Sequence, residues 1–130
     1  MKQHSVYPNL FVSEHPLVGH KLSRMRQADC DKKGFKQSLK EISWLLGYEV
    51  TSGLAITKKA INTPVAPMEA PFLRERPPVI LPILRAGIGM SEGLEDIMPD
   101  APVGHIGLYR DEETKRPVEY LVKLPPGGEH

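Results

Sequence analysis

Cysteine is nearly absent from this sequence. Cys30 stands alone in 130 residues, so no disulfide can form within the chain, and a lone thiol is simplest to keep in a reducing compartment, the cytoplasm. Long apolar runs are missing as well: none approaches the about 20 residues a membrane helix needs, and Met1 to Pro8 has no apolar signal core. The expectation is a chain neither exported nor embedded. Nor does one sign of charge dominate. The 17 Lys and Arg nearly balance the 16 Asp and Glu, leaving a net charge of +1, and the 6% of aromatic residues are not interleaved with basic ones. That argues against a nucleic-acid partner. His15 and His20 lie five positions apart, which does not put two ligands on one helical face. Zinc is not expected, and these histidines read as surface or capping residues.

The remaining composition, 40% hydrophobic and 25% charged, suits a single soluble globular domain without naming its work. Thirteen prolines punctuate the chain at element junctions rather than forming a proline-rich tract, and there is no internal repeat.

The most informative stretch is Val79 to Met90. Val79, Ile80, Leu81, Ile83 and Leu84 are apolar on both alternating faces, which predicts a parallel strand covered on both sides. The run stops on Arg85, and Gly87 and Gly89 let the backbone approach a ligand closely. Met90, Leu94, Ile97 and Met98 then follow a helical spacing, so a helix begins near Gly87 with its free N–H groups beside the Arg85 guanidinium. A strand end, a glycine turn, a helix N-terminus and a cation together describe a phosphate site. Taken alone, the same residues also fit a packing glycine and a structural ion-pair arginine.

Around this corner the chain reads as follows. Met1 to Glu14 lacks periodicity and is expected to be an arm. Pro16 opens a short helix that carries Val18, Leu22 and Met25 and ends near Arg26. Asp31 caps a longer helix, roughly Lys32 to Glu49, whose core stripe is Phe35, Leu39, Ile42 and Leu46. Trp44 and Tyr48 fall on another face, to be covered either by the N-terminal arm or by a second subunit. Residues 54–78 form an excursion with strand-like pieces at Leu54 to Thr57 and Ile61 to Val65, ended by Pro64, Pro67 and Pro71. Residues 79–110 make the strand-helix-strand core, with its second strand from Val103 to Tyr109. A right-handed crossover brings the C-terminal ends of both strands, and so Arg85 and Arg110, to one edge of the sheet, where open α/β sheets bind ligands. Residues 111–125 alternate like a half-exposed strand after a charged turn and are expected to form a hairpin flap. Arg110 followed by Asp111, Glu112 and Glu113 equally fits a solvated charge cluster.

The segment Pro82-Ile83-Leu84-Arg85-Ala86-Gly87-Ile88-Gly89-Met90 resembles the signature of uracil phosphoribosyltransferases. Further blocks follow in family order: His15 to Leu22, Tyr48 to Thr51, Thr63 to Met68, His105 to Thr114, Pro117 to Tyr120 and Val122 to Pro125. The resemblance extends from about His15 to Pro125. It implies an α/β chain with an incomplete type I phosphoribosyltransferase-like fold, a doubly wound parallel sheet with N-terminal helices and a β-arm over 54–78 that reaches a second subunit. The division expected is an arm over 1–14 and the N-terminal portion of a phosphoribosyltransferase domain over 15–130. The resemblance also implies transfer of a phosphoribosyl group from phosphoribosyl pyrophosphate to uracil, giving uridine monophosphate and pyrophosphate. Arg85, Ala86, Gly87 and Arg110 would hold the pyrophosphate, with Mg²⁺ travelling on it.

In the family the chain continues into Val-Asp-Pro-Met-Leu-Ala-Thr-Gly-Gly, which holds the ribose phosphate, and then into a uracil-recognising loop. This sequence ends at Pro125-Pro126-Gly127-Gly128-Glu129-His130 without them. The expectation is a truncated salvage enzyme, inactive alone, whose partners are phosphoribosyl pyrophosphate or pyrophosphate, further copies of itself and a separate C-terminal half. The alternative is a non-catalytic phosphate-binding or interaction remnant of the family.

Overall fold

The structure, a computed structural model, describes residues 1–126; Gly127 to His130, the end of the expected phosphoribosyltransferase portion, lie outside the described residues. It is a mixed α/β fold with three helices and three small sheets.

Met1 to Glu14 is not featureless. Strands β1 (Lys2–Gln3) and β2 (Phe11–Val12) pair antiparallel, and the Met1 amino group lies 3.7 Å from Glu49 Oε1. Helix α1 (Pro16–Arg26) starts with Pro16 in its first turn, where the missing N–H costs nothing, and His15 caps it by accepting from Leu17 N through Nδ1 at 3.2 Å. Helix α2 (Lys32–Thr51) is capped by Asp31, whose carboxylate accepts from Gly34 N at 2.7 Å. Capping, one of the two roles expected of His15, and the cap expected at Asp31 are both observed.

The expected core stripe of α2 holds at Ile42, which is buried, and in part at Leu39 and Leu46, which are half-buried, but not at Phe35. The buried residues of the helix are Ser38, Ile42, Ser43 and Gly47, while Phe35 is exposed. Small residues win because α3 (Ile88–Ile97) packs close: a Cβ on Gly93 of α3 would meet Ser43 Cβ at 2.6 Å and Lys40 O at 2.8 Å. Helix backbones this near leave no room for the large side chains that periodicity favours. Trp44 is likewise turned to α3, donating from Nε1 to Asp96 Oδ2 at 2.9 Å. Tyr48 stays exposed.

Residues 54–78 contain a hairpin of β3 (Ile56–Asn62) and β4 (Pro67–Leu73), paired from Ile56 with Leu73 to Asn62 with Pro67. Lys58 and Lys59 do not split the first strand, and Pro67 and Pro71 lie within the second. Each strand of a two-stranded ribbon has an unpaired side, and there a proline forfeits no ladder bond.

The third sheet has the order β5-β6-β7, with β5 (Ile83–Leu84) parallel to β6 (His105–Arg110) and β6 antiparallel to β7 (Pro117–Lys123). The expected first strand is shorter than its apolar run, although a bridge from Ile80 to Val103 extends the pairing. It is also covered on one side only. Ile80 and Pro82 are buried, whereas Val79, Leu81 and Ile83 are 40%, 39% and 50% exposed.

Candidate functional site

The parallel pairing of Ile83 with Ile106 and of Leu84 with Gly107 directs β5 and β6 the same way. Arg85, immediately after β5, and Arg110, the last residue of β6, are thus delivered to the same edge of the sheet. That convergence follows from topology, and it is the arrangement expected from the crossover.

The turn after β5 is built by the chain itself. Gly87 N donates to Ile83 O at 2.8 Å, and Ile88 N donates to Arg85 O at 3.2 Å. A Cβ on Gly87 would meet Ile83 N at 2.7 Å and Ile83 O at 2.9 Å. Glycine is needed here because the chain folds onto itself. Gly89 has a similar duty, since its Cβ would strike Leu39 of α2 at 2.7 Å. The Leu84–Arg85 peptide is cis.

Donors are left over. α3 makes its first helical bond from Ser91 N to Gly87 O at 3.0 Å, so the N–H groups of Ala86, Gly89 and Met90 have no partner among the described residues. The Arg85 side chain is exposed and makes no ion pair or hydrogen bond with another described residue. The structural ion-pair alternative for Arg85 has no partner among the described residues.

Arg110 is placed by the β6–β7 hairpin. Its Nε donates to Lys115 O at 3.4 Å across the turn, and Lys115 sits at φ 58°, a left-handed conformation uncommon for a residue with a side chain. Asp111 does not pair with Arg110. Its carboxylate accepts from Thr114 N at 2.7 Å and Glu113 N at 3.0 Å. These bonds, the Thr114 one foremost, hold its pKa below the usual carboxylate range. Arg110 to Glu113 thus form an ordered turn, with Arg110, Glu112 and Glu113 exposed. Leu108, Tyr109, Arg110, Lys115 and Pro117 line a shallow depression beside it. Lys115 was not singled out by the sequence, in which it is one more cation in a charged turn. Among the described residues no group of three His, Cys, Asp or Glu side chains gathers to hold a metal ion. No helix there is long and apolar enough to cross a membrane.

The family model described as uracil phosphoribosyltransferase matches residues 12–129. A uracil phosphoribosyltransferase from Rhodospirillum centenum is 54% identical over 129 residues, covering 98% of this chain and 60% of that protein. One from Burkholderia ambifaria is 53% identical over 125 residues, covering 96% of this chain and 57% of that protein. The solved structure of the AQ2163 protein from Aquifex aeolicus superposes with a TM-score of 0.81 at 34% identity, over 89% of this chain and 55% of that one. The chain spans somewhat more than half the length of these relatives. With a match to the family model over nearly its full length, this chain belongs to the uracil phosphoribosyltransferase family.

Proposed function

We propose that these 130 residues hold the pyrophosphate end of phosphoribosyl pyrophosphate in a reaction that transfers the phosphoribosyl group to uracil, giving uridine monophosphate and pyrophosphate. The observation that carries this reading is the unpaired Arg85 beside the free N–H groups of Ala86, Gly89 and Met90, with Arg110 at the same sheet edge. As the bond at the anomeric carbon breaks, negative charge accumulates on the departing pyrophosphate, and fixed donors aimed at it lower the barrier. Arg85 and Ala86 bind that charge, Gly87 makes the turn that presents them, and Arg110 closes from the hairpin.

Mg²⁺ is part of the same proposal and arrives bound to the pyrophosphate with most of its own waters. The described residues offer it no cage. In fold terms, β5 and β6 are two strands of a type I, doubly wound parallel sheet. A second copy is the proposed oligomeric partner. It meets the β3–β4 hairpin, where Ile56, Val65, Met68 and Phe72 are exposed.

The test is pyrophosphate affinity by calorimetry for the parent chain and for Arg85→Ala. Loss of a charge-assisted contact costs about 1.5–3 kcal/mol, so affinity is expected to fall about tenfold or more. Equal affinities overturn the assignment.

A further inference from the structure

Arg110 pairs with Pro117, so residues 111–116 alone join β6 to β7. Glu112 to Arg116 are all exposed, and only Asp111 is half-buried. A turn this open keeps one shape only if its own polar groups hold it.

Those bonds gather at Asp111. Its Oδ1 accepts from Thr114 N at 2.7 Å and from Glu113 N at 3.0 Å, its N–H donates to Arg116 O at 2.9 Å, and its carbonyl accepts from Lys115 N at 3.0 Å. One residue thus closes the turn at both ends. Thr114 Oγ1 adds a bond, accepting from Arg116 N at 3.3 Å.

Closed in this way, the chain holds Lys115 at φ 58°, a left-handed conformation that a side chain disfavours. That conformation sets the direction of the Lys115 carbonyl, which accepts from Arg110 Nε at 3.4 Å. The guanidinium therefore spends its Nε–H on the turn and keeps its terminal N–H groups for a ligand. A long side chain fixed beforehand does not have to be immobilised by the ligand, and affinity gains by that saving.

We propose that Asp111 is a positioning residue for Arg110: by closing the turn it fixes the Lys115 carbonyl, and that carbonyl aims the guanidinium before pyrophosphate arrives. Arg110 meets the ligand, and Asp111 acts only through it. The inference rests on the anion site proposed above and deepens it. Charge points the same way. A carboxylate beside an anion site repels the ligand, so what Asp111 contributes is its acceptor oxygen.

The experiment measures pyrophosphate affinity by calorimetry for the parent, Asp111→Asn, Asp111→Ala and Arg110→Ala, and for both Asp111 variants in the Arg110→Ala background. Asparagine keeps an acceptor for Glu113 N and Thr114 N while dropping the charge, so Asp111→Asn is expected to bind at least as tightly as the parent. Asp111→Ala, its match in charge, is expected to bind roughly two- to tenfold more weakly than Asp111→Asn, the range that immobilising one long side chain costs. With Arg110 already alanine, the two Asp111 variants should bind alike, which a general loosening of the fold would not reproduce. Equal affinities of Asp111→Asn and Asp111→Ala overturn the inference, as does a difference that persists at full size without Arg110. If Arg110→Ala leaves affinity unchanged, Arg110 falls out of the anion site and this inference falls with it; if only Arg110→Ala weakens binding, the site stands and the inference alone fails. Should Asp111→Ala not fold, Lys115→Asn and Lys115→Val decide. Both drop the ammonium, but only asparagine accepts the left-handed conformation, so Lys115→Val is expected to bind more weakly, and equal affinities overturn the inference.

Discussion

Glu41 lies between the first two helices, where Lys21 donates to Oε2 and Gln37 Nε2 donates to Oε1 at 3.1 Å. The Lys21 hydrogen bond, followed by that of Gln37, holds its pKa below the usual carboxylate range. The folded chain therefore gives up this proton at lower pH than the unfolded chain does. The stabilisation is complete above the unfolded value of about 4.3 and is lost as pH falls through the lower folded one. Glu41→Gln is expected to lower the urea midpoint at pH 7 by the equivalent of about 0.5–1 kcal/mol, the size usual for a partly exposed pair. Towards pH 3 the gap between parent and variant should close. A gap that widened on acidification would refute the assignment. Asp96 is depressed for a related reason, first by the Trp44 indole N–H and then by Lys40. Such partners are invisible to local spacing, since Trp44 and Asp96 lie far apart in the chain and meet only when two helices pack.

Among elements, the α2–α3 contact explains why the apolar stripes describe only part of the buried surface. Periodicity weighs a residue by its hydrophobicity, whereas a close helix crossing selects whatever is small enough. Ser43, Gly47, Ser91 and Gly93 are buried there, while Phe35, Met90 and Ile97 stay exposed. The two glycines should respond differently to added bulk. A Cβ at Gly93 meets the Lys40 carbonyl at 2.8 Å, which is backbone and cannot swing away. At Gly47 the obstacles are the Ile97 and Leu94 methyl ends. Gly93→Ala should destabilise by about 1–3 kcal/mol, the usual cost of overpacking. Gly47→Ala should cost less, because side-chain ends can rotate and alanine favours helix by roughly 0.8–1 kcal/mol over glycine. Thermal unfolding of the two variants side by side checks the order, and a milder effect at Gly93 would contradict the packing described.

For the whole molecule, the expectation is that the purified 130-residue chain forms no uridine monophosphate from uracil and phosphoribosyl pyrophosphate. Positioning two reactants supplies roughly 7–11 kcal/mol of a barrier, and a grip on pyrophosphate alone forgoes most of it. Adding the uncovered portion of a relative should restore turnover. In that mixture Arg85→Ala and Arg110→Ala should each lower the rate, and Cys30→Ala should leave it unchanged. A direct assay of nucleotide formation decides this, and substantial turnover by the chain alone would overturn the expectation.

The sequence alone was enough for features that depend on neighbours in the chain. Pro16 and His15 start one helix, Asp31 caps another, and the order strand, turn, helix, strand around Arg85 follows from short-range chemistry. The family was legible for a related reason, because its motif blocks are contiguous. Only the tertiary structure decided what meets across the fold: that Gly87 and Gly89 lie against the protein's own atoms, that Trp44 serves α3, and that one face of the Val79–Leu84 run stays open. A residue's type limits what it can bury or bond. Which atoms lie opposite it is set by the packing of elements distant in sequence, and local pattern carries no record of that.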